Sequence, residues 1–194
     1  EGDYRHPKRV LKFHNILMAK LKNAQPNEGH RLVASLESKY NVTVVTQNVD
    51  DLHERAGSTN IIHLHGEVMK ATSSNDPNNP RCIVTLTEEN MNIEIGDKAK
   101  DGSQLRPYIG WFGESVPMIE PAIEELRTAD ILVVVGTSLN VYPAASLIYY
   151  VQEDCRIYLI DPKDVNVSPT LNVTHIMKGA SEGMKELCEL LAKE

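Results

Sequence analysis

Three short apolar runs restrict the folds open to this chain: residues 42–46, 131–135 and 156–160, in sequence VTVVT, ILVVV and RIYLI. Runs of about five apolar and β-branched residues without polar alternation suit strands buried on both faces, the environment of a parallel sheet. A shorter run, Ile61-Ile62-His63-Leu64, and a further one at 173–177 extend the set. Helical spacing separates them. Val10, Leu11, Ile16, Leu17 and Leu21 predict a helix over 8–22, and Leu32, Val33 and Leu36 another over 28–40. Further helices are expected over 116–129, 142–151 and 181–193, the last opened by Ser181 and striped with Met184, Leu187, Leu190 and Leu191. Strands alternating with helices predict an α/β fold, a parallel sheet with helices on both faces. Residues 67–106 break the pattern: 73–80 is turn chemistry, and Gly96, Asp101 and Gly102 punctuate the rest. They predict a small irregular insertion with little core of its own.

The strand ends carry the chemistry. Residues 42–46 run into Gln47, Asn48, Val49 and Asp50; 61–64 runs into His65 and Gly66; 131–135 runs into Gly136, Thr137 and Ser138. In open α/β sheets ligands bind outside the carboxyl ends of the strands, so these clusters predict one site. An imidazole can take a proton from a hydroxyl near neutral pH, which makes His65 the candidate base, with Gly66 leaving open space beside it. His63, on the same face by alternation, is read as a hydrogen-bonded structural histidine. Gln47 and Asn48 offer donors and acceptors for hydroxyls and a water, and Asp50 can accept from an amide. The competing reading is an ordinary Asn/Asp turn after a strand. Gly136 is read as a close-approach glycine, with Thr137 and Ser138 supplying hydroxyls for phosphate or ribose oxygens; the competing reading is a capped turn.

Composition excludes several classes. Twenty basic against 27 acidic residues, a formal charge of -7, with no clustered Lys and Arg, argues against a nucleic-acid partner. No apolar stretch reaches the roughly 20 residues that a membrane span needs, so no membrane partner is expected. Cys82, Cys155 and Cys188 are odd in number and unpaired in spacing. They predict neither a disulfide framework nor a metal site, and they suit a reducing cytoplasm.

The stretches TQNVDDLHERAG, LHGE, RPYIGWFGE and GTSLNVYPAA, in this order, resemble the sirtuin family of NAD-dependent protein deacylases, in its short bacterial form. The resemblance implies a Rossmann-like NAD-binding domain over 1–66 and 107–194, with 67–106 as the small insertion. It implies NAD as cofactor and an acylated lysine in a protein or peptide as partner. Lysine deacylation would release nicotinamide and O-acyl-ADP-ribose. By the same resemblance His65 and Asn48 are catalytic. Gln47, Asn48, Asp50, Gly136, Thr137, Ser138, Asp161 and Ala180 hold the cofactor, and Trp111, Phe112, Gly113 and Glu114 clamp the peptide with Val141 and Tyr142. Two alternatives stay open: an NAD glycohydrolase or ADP-ribosyltransferase on the same scaffold, and a catalytically inactive binding module.

Departures from the family pattern add three expectations. Sirtuins often bind structural zinc through two cysteine pairs between the histidine and the FGE motif; this segment holds only Cys82, so a zinc-free insertion is expected. Desuccinylating members carry Phe-Tyr-x-x-Arg, where this chain has Phe13-His14-Asn15-Ile16-Leu17. An apolar Leu17 cannot pair a carboxylate, which favours an uncharged acyl group. The family begins with a strand and a glycine-rich loop that are not found before Tyr4. The resemblance therefore implies an N-terminally truncated chain whose first strand is missing, with no NAD turnover by these 194 residues alone.

Overall fold

The computed structural model describes residues 5–111, 113–137, 139 and 142–194. The chain divides into two compact units. The first comprises Glu1–Gln25, Val45–Leu52 and His63–Met118, and the second Pro26–Val44, His53–Ile62 and Ile119–Glu194. The segment expected as an insertion thus lies in a larger unit that also takes in the first helix.

The second unit is built on a parallel sheet of β6 (Ile131–Val135), β7 (Arg156–Ile160) and β8 (Val173–Ile176), in that order. Every residue of β7 from Ile157 to Ile160 is at least nine-tenths buried, as a central strand covered on both faces requires. Tyr158 and Ile160 join Ile176 and three residues of helix α6 (Ala180–Leu191): Met184, Leu187 and Leu191. Leu32 and Val33 of helix α2 (Glu28–Ser35) pack on the same cluster. Helix α2 ends sooner than its periodicity predicts and tightens into a 3₁₀ turn over Leu36–Ser38. Helix α6 begins at Gly179 with no side-chain cap. Ser181, expected to open it, instead accepts a hydrogen bond from the Gly29 N–H at 3.3 Å. Gly183 lets α6 come close to β7, since a Cβ there would lie 2.2 Å from Ile160 Cγ2. Helices α4 (Ile119–Arg127) and α5 (Ala144–Leu147) also belong to this unit.

The first unit corrects the expectation of an irregular, coreless insertion. Strand β3 (Gly66–Ser73) runs for eight residues, antiparallel to both β4 (Val84–Thr85) and β5 (Leu105–Ile109). Helix α1 (Pro7–Asn23) contributes Leu11 to a core with Ala71, Leu86 and Ile93. The Asn15 side chain fixes the edge of that core, donating to Ile93 O at 3.2 Å and accepting from Ile93 N at 3.1 Å. The strand was hard to read because GEVMKATS has no apolar run, and its buried inner end, Ala71-Thr72-Ser73, is mostly hydroxyl. Strands β1 (Val44–Thr46) and β2 (Ile61–His63) pair in a separate two-stranded sheet. Among the described residues no helix is long and apolar enough to cross a membrane.

Candidate active site

In the first unit the segment after β1 is pinned by its own backbone. Asn48 N donates to Thr46 Oγ1 at 3.0 Å, Val68 N to Val49 O at 2.7 Å, and Leu64 N to Thr46 O at 3.0 Å. His63 is 5% exposed, and its Nδ1 lies 3.0 Å from Asn48 O, so it is the structural histidine that its spacing suggested. Asp50 Oδ1 accepts from Leu52 N at 3.1 Å and so caps helix α3 (Leu52–Ala56), which leaves Oδ2 for a ligand. Among the described residues no hydrogen bond ties down the side chains of Gln47, Asn48 or His65, and Asn48 is exposed.

His65 occupies the turn between β2 and β3 rather than the strand itself. Its carbonyl accepts from Gly110 N at 2.8 Å. Gly66 does not leave open space beside it, as the sequence suggested. Its φ is +86°, and a Cβ there would stand 2.1 Å from Tyr108 O, so the glycine exists to let the backbone of β5 pass. His65 lines a cavity of about 240 Å³, together with Tyr108, Asn78, Ser115, Arg106 and Glu114. Burial, reinforced by the negative charge of Glu67, raises the Tyr108 pKa above its ordinary value, so its hydroxyl keeps its proton.

Arg106 was not singled out from the sequence. It is 2% exposed, and its fork meets Glu114 twice, Nη1 to Oε1 at 2.8 Å and Nη2 to Oε2 at 2.9 Å. Nη2 also donates to Ile109 O at 2.9 Å, and Glu114 Oε2 accepts from Trp111 N at 3.0 Å. Burial pushes the Glu114 carboxyl up, but the bonds from Arg106 and Trp111 outweigh it and hold the pKa below the ordinary value. The Glu114 carboxylate is therefore spent on its own turn. Trp111 is half-buried, with its indole Nε1 out of solvent and unpaired among the described residues. Gly113 is exposed with φ +88°. Phe112 lies outside the described residues. A signal was available: an arginine opens the same RPYIGWFGE stretch that ends in the glutamate.

The second unit carries the remaining sequence-predicted residues at its own strand ends. Gly136 follows β6 with φ +67°, and its N–H donates to Ile160 O at 3.1 Å. No protein atom stands within 4 Å of a Cβ there, so the glycine answers to its left-handed backbone and leaves the space beside it open. Thr137 Oγ1 accepts from Leu139 N at 3.3 Å, the hydroxyl-capped turn of the competing reading. Asp161 follows β7 and is 7% exposed; its Oδ1 accepts from Lys163 N at 2.8 Å. Its carbonyl lies 3.1 Å from His175 Nε2. Ala180 is the exposed first residue of α6, and Tyr142 is 65% exposed. Ser138 and Val141 lie outside the described residues.

The model of the Sir2 family matches residues 3–143. An NAD-dependent protein deacylase of Bacteroides thetaiotaomicron is 53% identical over 191 residues, which covers 98% of this chain and 82% of the relative. One from Helicobacter pylori is 47% identical over 186 residues, covering 96% and 79%. Among solved structures, a Sir2 homologue in complex with NAD superimposes with a TM-score of 0.80 at 38% identity, covering 97% of this chain and 73% of that one. A Sir2 protein bound to a propionylated peptide gives 0.77 at 28% identity, covering 98% and 81%. Matches of this extent across both units, with the strand-end motifs inside the matched region, leave one conclusion: the chain belongs to the Sir2 family.

Proposed function

We propose that the protein removes acyl groups from lysine side chains in an NAD-dependent reaction, releasing nicotinamide and O-acyl-ADP-ribose. The observation that carries this reading is His65. It stands on the β2–β3 turn at the edge of a cavity, with no hydrogen bond to hold its ring among the described residues, in a family whose near relatives are NAD-dependent protein deacylases. Bound NAD supplies the ribosyl carbon that accepts the acyl oxygen as nicotinamide leaves. His65 then takes the proton of a ribose hydroxyl, which turns that hydroxyl into the nucleophile. Gln47 and Asn48 hold ribose hydroxyls and a water. Asp50 receives the carboxamide on Oδ2, the oxygen its helix cap leaves over. Gly136, Thr137 and Ser138, with Asp161 and Ala180, serve the rest of the cofactor.

The segment from Trp111 to Glu114, with Val141 and Tyr142, receives an extended peptide by backbone pairing, a mode that leaves side-chain choice loose. A solved relative bound to a propionylated peptide supports an acylated peptide as the partner. Leu17 in place of a cation favours acetyl or another uncharged acyl group. The decisive assay measures nicotinamide release by the full-length protein with and without an acetyl-lysine peptide, alongside the mass of the peptide. We expect NAD consumption only with the peptide, and a loss of roughly 10²-fold or more in turnover for His65→Ala. NAD consumption that ignores the peptide would instead identify a glycohydrolase, and wild-type turnover by the variant would remove His65 from the mechanism.

A further inference from the structure

The ion pair between buried Arg106 and exposed Glu114 has a shape that packing alone does not explain. Arg106 and Glu114 are eight residues apart, and between them the chain leaves β5, passes Gly110 and turns at Gly113. The guanidinium is out of solvent, with 3% of its side-chain surface exposed, while Glu114 keeps 35%. A buried cation is tolerated when its charge is matched and its donors are spent. Here the Glu114 carboxylate matches the charge, and the carbonyls of Ile109 and, at 3.4 Å, Pro107 accept from the guanidinium as well.

The same carboxylate closes the turn. Glu114 Oε2 accepts from Trp111 N at 3.0 Å, and Glu114 N donates to Trp111 O at 3.0 Å, so side chain and backbone both tie Glu114 to Trp111. One step earlier, Gly110 N holds the carbonyl of His65 at 2.8 Å. A continuous line of bonds therefore runs from Arg106 through Glu114 to the Trp111 backbone, and from Arg106 through Ile109 to the residue that grips His65. The planar fork is what allows this, because a guanidinium can hold both carboxylate oxygens and still reach a carbonyl, whereas an ammonium is a point donor on a flexible stem.

We propose that Arg106 is a positioning residue for the acylated peptide, setting through Glu114 the backbone of the Trp111–Glu114 turn on which the peptide pairs. This rests on the deacylase reading and deepens it, since it assigns Arg106 to the peptide half of the site and not to the NAD half. A rigid turn presents its backbone groups in one geometry and spares the peptide the entropy of ordering them. A loosened turn costs peptide affinity first.

The test is Arg106→Lys beside Glu114→Gln in the full-length protein, with KM for an acetyl-lysine peptide, KM for NAD, kcat and Tm measured for each. Arg106→Lys keeps the charge and loses the fork. Glu114→Gln keeps an acceptor for Trp111 N–H and loses the ion pair, and its greater exposure guards against a failure to fold. Both should raise the peptide KM roughly tenfold or more while the NAD KM stays within about twofold. Direct titration of the peptide onto each variant should show the same loss of affinity without turnover. A peptide KM unchanged in Arg106→Lys would overturn the proposal. So would an equal rise in both KM values accompanied by a large fall in Tm, which marks a structural role only. The deacylase reading fails separately, if the wild-type protein shows no peptide-dependent release of nicotinamide.

Discussion

In the parallel sheet β7 buries Ile157, Tyr158, Leu159 and Ile160 in succession, and its neighbours answer with Ile176, Met184 and Leu187. In the antiparallel sheet β3 ends in Ala71, Thr72 and Ser73, all fully out of solvent, and two of the three carry hydroxyls. Those hydroxyls are spent on the turns beyond the strand. Thr72 Oγ1 donates to Pro77 O at 2.9 Å. Ser73 Oγ donates to Asp101 Oδ2 at 2.5 Å, lies 2.9 Å from Ser103 Oγ, and accepts from Asn75 N and Asp76 N at 3.0 Å each. Asp101 Oδ1 takes Ser103 N at 3.0 Å and Ser103 Oγ at 2.7 Å. One sheet is held by apolar burial, which tolerates imprecision. The other is held by a polar knot in which every partner depends on the rest, so that losing one member strands several donors at once.

The comparison is sharpened first in the apolar sheet. Leu159→Ala, at a fully buried position of the central strand, should cost about 3–4 kcal/mol in equilibrium denaturation. Its counterpart in the knot is Ser73→Ala. That change removes one oxygen and almost no volume, yet leaves two backbone N–H groups and Asp101 short of a partner. The expected cost is about 2–3 kcal/mol, close to that of the leucine. A loss under about 1 kcal/mol by the same measurement would break the comparison, because Ser73 would then be a passenger in a sheet held by its small apolar core.

The difference also explains what could be read in advance. Strands β6 and β7 appear in the structure at the residues their apolar runs predict, because burial on both faces leaves a continuous imprint on composition. Helix α1 extends its predicted span by one residue at each end. Strand β3 left no such imprint, since a hydroxyl bonded inside a knot and one exposed in a turn look the same in one dimension. The site divides in the same way. His65, Gln47, Asn48 and Asp50 stand out because they follow directly on apolar runs. Arg106 does not, because its role depends on burial and on a carboxylate eight residues away, and only the folded chain brings those together. Gly66 reads in the sequence as open space, and the structure instead packs the β5 backbone against it. Backbone crowding and left-handed φ angles are properties of neighbours and turns, not of the glycine itself.

Acid separates two polar groups of the first unit, buried His14 and exposed Asp101. His14, 1% exposed on α1, has its pKa lowered to about 4 by burial, against a weaker opposing contact from the Met91 backbone that falls short of good hydrogen-bond geometry. Below pH about 6.5 the unfolded chain takes up a proton that the folded chain refuses until about pH 4. Stability must therefore fall across that window by about 2–3 kcal/mol, and His14→Leu should flatten the fall. Asp101 acts lower. Bonds from the Ser73 and Ser103 side chains hold its pKa below 3.8, so its contribution is present above that value and is lost only as pH drops through the lower, folded one. Denaturation midpoints measured from pH 7 to 3 should show the first loss abolished in His14→Leu and the second abolished in Asp101→Asn. A single transition unaffected by either change would mean that acid attacks the protein elsewhere.

The smallest expected effect is that of a chelator, and it tests whether the knot is the fastener. The Sir2-type zinc site needs four thiolates between the histidine and the FGE motif, and Cys82 is the one cysteine in that stretch. Its side chain is 3% exposed, and Cys155 and Cys188 belong to the second unit. The donor set does not fit the metal. The hydroxyl and carboxylate oxygens of Ser73, Asp101 and Ser103 are hydrogen-bonded to one another, and two of them also accept backbone N–H groups. A structural zinc site contributes folding energy outright, so stripping the metal from one unfolds the domain that holds it. Here EDTA should move the Tm by less than about 1 °C, and elemental analysis should find well under about 0.1 zinc per chain, while Ser73→Ala in the same buffer lowers the Tm by about 5 °C or more. One zinc per chain, lost to the chelator together with the fold of the first unit, would show that the polar knot is an accessory to a metal site assembled from other ligands.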